Sequence, residues 1–130
     1  MIVVASWTPQ GFFGQLIGAL GRRLPPPPAG AAPPILWGTE AHVRTVLGGQ
    51  ILLALERRTV DLVFSSSAEM MAGFQERFGP MILARQLLDP ESYEVLVAEL
   101  RALCEASAIA GPQSEVRIPS EYLLVVGLKP

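Results

Sequence analysis

Ile2-Val3-Val4-Ala5 is an unbroken apolar run, rich in β-branched residues, and it follows directly on Met1. A run with no polar alternation reads as a buried strand that wants cover on both faces, as in a parallel sheet between helix layers. Such strands have neighbours on both sides, and nothing precedes this one. The expectation is a chain that starts in the middle of a larger sheet. Tyr122-Leu123-Leu124-Val125-Val126-Gly127-Leu128 is a second fully apolar strand, and strands at the two termini can pair. Between them, residues 51–64 alternate, with Leu53, Leu55 and Val63 on one side and Leu52, Val60 and Leu62 on the other. Glu56, Arg57, Arg58 and Asp61 charge the middle of that run, which suits an edge or near-edge strand.

Helical segments separate the strands. Thr8-Pro9 signals a turn into a helix carrying Phe12, Phe13, Leu16, Ile17 and Leu20, in which Gly14 and Gly18 clear one face for close packing. The glycine spacing matches neither a dinucleotide fingerprint nor a phosphate loop. Six prolines in residues 25–34 predict an extended, polyproline-like linker. Thr39 should cap a short helix stopped by Gly48-Gly49. Ser66 with Glu69 reads as a capping box for a helix with Met70, Met71, Phe74 and Phe78 along its stripe. Gly79-Pro80 should break it before a short helix over Met81–Leu88. Asp89-Pro90-Glu91 starts a long helix to about Ala108. Residues 1–130 are expected to form a single domain.

The chain is 50% hydrophobic and only 17% charged, against about 25% charged in an average soluble domain, so part of its apolar surface suits a partner. Its apolar stretches fall short of the roughly 20 residues of a membrane helix. The start lacks the basic region of a signal peptide. A net charge of −2 gives no electrostatic reason to expect nucleic acid. The single Cys104 excludes an internal disulfide and fits a reducing, cytoplasmic compartment. With the lone His42 it makes no zinc site of usual composition, and no metal is expected.

The succession of strand, Trp7-Thr8-Pro9-Gln10-Gly11-Phe12, a proline-rich stretch and Leu36-Trp37-Gly38-Thr39-Glu40 resembles class I S-adenosylmethionine-dependent methyltransferases of the ubiquinone/menaquinone-biosynthesis-like type. Glu56-Arg57-Arg58-Thr59-Val60, the helix opened by Asp89-Pro90-Glu91 and the segment Val116-Arg117-Ile118-Pro119-Ser120-Glu121-Tyr122 continue the similarity to the end of the chain. The likeness is to the C-terminal half of that family. It implies an α/β fold: a three-stranded remnant of a Rossmann-like sheet, with four to five helices. Residues 2–5 would be strand five, 51–64 strand six, and 122–128 an antiparallel strand seven between them. The family's glycine-rich cofactor loop and the acidic residue closing strand two have no counterpart here. The implied protein is the substrate-side half, inactive and binding no cofactor alone, and S-adenosylmethionine-dependent only when a complementary N-terminal half is supplied.

By the same resemblance Trp7, Thr8, Phe12, Phe13, Met70 and Phe74 are candidates for the walls of a substrate pocket. Phe12, Phe13, Met70, Met71 and Phe74 also have the spacing of plain core residues. Tyr93 and Tyr122 would need an activating neighbour to act as bases, His42 reads as solvated, and no catalytic residue is assigned. The alternative is a non-catalytic, self-associating domain that binds an apolar small molecule; a truncated product is also open. The expected partners are a second copy, paired through the Ile2–Ala5 edge, or a separate N-terminal methyltransferase half. Neither nucleic acid nor membrane is expected.

Overall fold

The pairing of the chain's two ends organises the structure, a computed structural model that describes residues 1–130. In chain order the elements are β1 (Ile2–Trp7), α1 (Phe12–Gly21), a 3-10 turn (Pro34–Gly38), α2 (Glu40–Leu47), β2 (Leu52–Phe64), α3 (Ser67–Arg77), α4 (Gly79–Leu87), α5 (Pro90–Ser107), β3 (Ile109–Ala110) and β4 (Val116–Leu128). β1 runs antiparallel to β4 in an unbroken register from Ile2 opposite Gly127 to Trp7 opposite Tyr122. The sheet order is β1-β4-β2, and β3 pairs with the start of β4, Ile109 opposite Arg117. The last strand thus lies between the first and the second, as expected. β3 is an addition: its hairpin closes through Gly111 N–H to the Glu115 carbonyl at 2.8 Å, and the sheet has four strands rather than three.

Reading Ile2–Ala5 as a buried strand needs correction. Ile2 is 46% exposed and Val3 57%, whereas the last strand does bury Leu123 and Val125. β1 has one strand neighbour, and cover from this chain reaches Val4, in the Val43 cluster, but leaves Ile2 and Val3 exposed. Thr8 N–H donates to the Glu121 carbonyl at 3.2 Å. In an antiparallel ladder the bonded pairs alternate, so the amides of Val3, Ala5 and Trp7 face the outer edge. The 3-10 turn packs on β1, and Gly38 lies directly against the Trp7 carbonyl.

The chain forms two compact units. The first comprises Met1–Gly14, Pro27–Val60 and Ser120–Pro130; the second comprises Gln15–Pro26 and Asp61–Pro119. In the first, Val43 of α2 packs with Leu123 and Val125 of β4, surrounded by Val4, Trp37, Leu47, Leu53 and Leu55. Only one face of this part of the sheet is covered by that cluster, because inward and outward side chains alternate along each strand.

In the second unit the helix starts follow their capping chemistry. Ser66 Oγ accepts from Glu69 N–H at 3.1 Å, but the Glu69 carboxylate returns to Ser65, taking its N–H and hydroxyl at 2.6 Å, rather than to Ser66. Those bonds hold the Glu69 carboxyl below its usual range, the Ser65 hydroxyl contributing most. Asp89 caps α5, accepting from Ser92 N–H at 2.9 Å and from its hydroxyl at 2.7 Å, and is lowered for the same reason. Arg117 bridges Glu115 at 2.7 Å and Asp61 at 3.5 Å.

Three local expectations change. Thr39 makes no side-chain cap on α2; its hydroxyl donates to the Leu36 carbonyl at 2.7 Å and closes the 3-10 turn instead. Gly79-Pro80 falls inside α4, where Pro80 sits in the first turn and its missing N–H costs nothing. The proline-rich linker is not extended throughout: Gly30, at φ +85°, turns it, and Pro34 already begins the 3-10 turn.

A side chain at position 38 would have to displace the Trp7 backbone, since a Cβ there falls within the van der Waals radius of the Trp7 carbonyl oxygen. Gly38→Ala is therefore expected to destabilise the protein by about 1–3 kcal/mol. Gly49→Ala, where a Cβ meets nothing within 4 Å, should leave the melting temperature within about a degree or raise it. Thermal unfolding of the two variants checks the contact.

Candidate functional site

Strand alternation assembles a site at the carboxyl end of β1. Ala5 and Trp7 stand opposite Leu124 and Tyr122 in the register, so all four project from the same face of the sheet. β2 adds Arg58 and Val60, which lie on the opposite side of that strand from the core residues Leu53 and Leu55. Together with Ser6 these residues line an open groove of about 490 Å³. This is the sheet face opposite the Val43 cluster.

The groove has an aromatic end. Trp7 stacks on Phe13 with ring centres 4.3 Å apart and planes at 25°, and Tyr122 meets Trp7 edge-on at 6.3 Å. Trp7 is half-buried, so one part of the indole is held by Phe13 while the rest faces the groove. The half-exposed indole suits a flat apolar ligand. Arg58 is the only charged residue in the lining. Its guanidinium bonds Glu56 at 2.8 Å, and that bond, with a smaller contribution from the Glu56 charge, raises its pKa further.

Beneath the groove, the Thr8-Pro9 turn is clamped. Thr8 is fully buried and its hydroxyl donates to Glu121 Oε1 at 2.7 Å, an oxygen that also accepts from Gln10 Nε2 at 2.9 Å. A Cβ at Gly14 would collide with the Thr8 and Pro9 backbone, so glycine there permits the helix to start this close to the strand. The clamp fixes the direction of Trp7, the residue just before it.

The structure therefore divides the six candidate pocket residues. Trp7 lines the groove and Phe13 backs it. Phe12 is buried edge-on against Phe13 at 5.3 Å, and Thr8 holds the turn. Met70 and Phe74 belong to the second unit, where both are buried; Phe74 packs against Phe64 at 5.8 Å and Phe78 at 6.1 Å. Arg58, Val60, Tyr122 and Leu124 complete the lining and were not among the candidates. The alternation of residues 51–64 already put Arg58 and Val60 on one side. What it lacked was the pairing that brings Tyr122 beside Trp7.

The lining contains no His, Cys, Asp or Glu, so the groove provides shape, apolar surface and one cation. His42 lies edge-on to Trp37 at 5.4 Å, half-buried rather than solvated. Cys104 is buried, and burial pushes its thiol up to about 11, which keeps it protonated at neutral pH. No three His, Cys, Asp or Glu side chains converge to hold a metal ion. No helix is long and apolar enough to cross a membrane.

No protein-family model matches the chain. It is similar to the uncharacterized protein Rv1405c of Mycobacterium tuberculosis, 34% identical over 131 residues, covering 98% of this chain and 46% of that protein. It is also similar to the uncharacterized protein Rv1403c of the same organism, 35% identical over 108 residues, covering 79% of this chain and 39% of that protein. The Mycobacterium bovis protein Mb1440c matches to the same extent as Rv1405c. The chain spans less than half the length of the curated relatives it matches.

Proposed function

We propose that this chain is the substrate-side portion of an S-adenosylmethionine-dependent methyltransferase, working in a reducing, cytoplasmic compartment beside a separate cofactor-binding half. The observation that carries this reading is the strand order: the last strand runs antiparallel between the first and the second, the arrangement that the resemblance assigns to strands five, seven and six. The length of the relatives, more than twice the matched segment, supports it.

The residues present do not fit the cofactor. The space a Cβ would take is filled by the chain itself, at Gly14 near the start of α1 by the Thr8-Pro9 backbone and at Gly38 in the 3-10 turn by the Trp7 carbonyl. Neither opens a cradle for a ligand, so no methyl-transfer step is assigned to these residues. Their role in the reading is to hold the acceptor: Trp7, Tyr122 and Leu124 bind its apolar body, and Arg58 places a positive charge at the rim. Positioning of that kind is what an in-line displacement demands of the substrate side.

The open edge supports a second component of the reading, self-association. Val3 and Ala5 present unpaired amides and exposed side chains at the end of the sheet. Uncharged edges of this kind pair with other chains. In the absence of the complementary half, a second copy joined antiparallel across a two-fold axis takes its place. This association also serves the non-catalytic alternative, in which the groove binds an apolar small molecule and no chemistry follows.

Three measurements test these points. Calorimetric titration of S-adenosylmethionine into the chain alone should give no binding at micromolar concentration. Mixing the chain with the part of Rv1405c outside the matched segment should create binding. Micromolar affinity of the chain alone, or none in the mixture, would refute the split-enzyme reading. For the groove, Trp7→Ala should abolish fluorescence enhancement of anilinonaphthalene sulfonate at a stability cost below that of a core aromatic; a loss of about 3–5 kcal/mol would instead mark Trp7 as core. Sedimentation at micromolar concentration should give a dimer that Val3→Lys dissociates and Arg57→Ala leaves intact. A stable wild-type monomer would end the edge-pairing proposal.

A further inference from the structure

The second unit contains a cavity for which the groove chemistry has no use. It measures about 780 Å³, within the roughly 300–1,000 Å³ of small-molecule sites. α3, α4 and α5 all contribute to its walls. Met71 and Tyr93 are its buried lining, and the exposed Glu76, Arg85, Glu94 and Arg101 also line it. Tyr93 and Arg101 are eight positions apart on α5, a spacing that keeps them on neighbouring parts of one helical face.

Two observations distinguish this cavity from an ordinary surface cleft. Tyr93 is only 8% exposed, and its hydroxyl, sealed from solvent, has no hydrogen-bond partner within the chain. Native proteins satisfy buried hydroxyls with protein, water or ligand. In addition, neither Arg85 nor Arg101 pairs with Glu76, Glu94 or any other carboxylate, and all six ion pairs of the chain involve other residues. Two cations and two anions line one cavity with their charges uncommitted.

We propose that this cavity binds a small amphoteric molecule of about dipeptide size. Its carboxylate meets the guanidinium of Arg85 or Arg101, a fork that matches two carboxylate oxygens at once. Its ammonium meets Glu76 or Glu94, its apolar body lies on Met71, and one polar group supplies the partner that Tyr93 Oη lacks. A purely anionic ligand would face two carboxylates in the same lining, and a purely cationic one two guanidiniums, so the charge pattern disfavours both. Binding here needs no second half and is independent of methyl transfer.

The test is titration of leucyl-leucine into the full chain, followed by amide chemical shifts, with N-acetyl-leucyl-leucine amide as the uncharged comparison. The free dipeptide is expected to bind at millimolar concentration or below, shifting α3 and α5 resonances, and the capped form about 10-fold more weakly or worse. Tyr93→Phe, which keeps the ring, should weaken the dipeptide about 3- to 10-fold, the worth of one hydrogen bond, without lowering the melting temperature. Arg101→Gln, which breaks no ion pair, should also weaken it. Absence of leucyl-leucine binding at millimolar concentration, or equal binding of the capped form, overturns the proposal. So does a Tyr93→Phe protein that binds the dipeptide like wild type, the result expected if the hydroxyl stays sealed from the ligand as it is from solvent.

Discussion

The antiparallel pairing of β1 with β4 is the constraint on which the first unit depends. It joins residues more than a hundred positions apart, from Ile2 opposite Gly127 to Trp7 opposite Tyr122, so the entropy of closing almost the whole chain must be met before it forms. Its return is a strand, β4, whose backbone is paired on both sides, and a face on which Leu123 and Val125 pack against Val43. At the carboxyl end the pairing runs on into side chains. Glu121 accepts from Thr8 and Gln10, which locks the turn and with it the direction of Trp7.

The same pairing leaves two kinds of surface uncommitted. β1 has no strand neighbour on its outer side, and one face of the sheet, with Ala5, Trp7, Leu124, Val60 and Arg58, forms an open groove instead of a packed layer. Both consequences follow from one fact: a strand with two apolar faces and two edges needs four kinds of cover, and this chain supplies only part of it. Exposed, uncharged edges are the kind that pair with other chains, and the proposed self-association rests on this one.

Within the second unit, stability and binding potential are carried by different groups. Asp89 and Ser66 cap α5 and α3, and Arg117 joins Glu115 to Asp61 across β4 and β2. These interactions spend the charges they use. Arg85, Arg101, Glu76 and Glu94 take part in none of them, and Tyr93, beside them, keeps a buried hydroxyl without a partner. Separating committed from uncommitted polar groups is what singles out the cavity.

Much of the element order was legible from local chemistry. The apolar runs at residues 2–5 and 122–128, the alternation of 51–64, the Ser66 and Asp89 caps and the stop at Gly48-Gly49 all act over a few residues, and each produced the element expected, to within a residue or two except at β4. β4 begins at Val116, six residues early, because pairing with β3 and β2 extends a strand beyond its apolar run. What tertiary structure alone decided was cover and company. Met70 and Phe74 have the same helical spacing whether they face a ligand or a core, and only packing placed them inside the second unit. Thr8 reads as a turn residue until Glu121, from the far end of the chain, arrives to accept its hydroxyl. Exposure of Ile2 and Val3, the groove beside Trp7 and the solitary hydroxyl of Tyr93 depend on which segments meet across long sequence separations, and local sequence carries no record of those meetings.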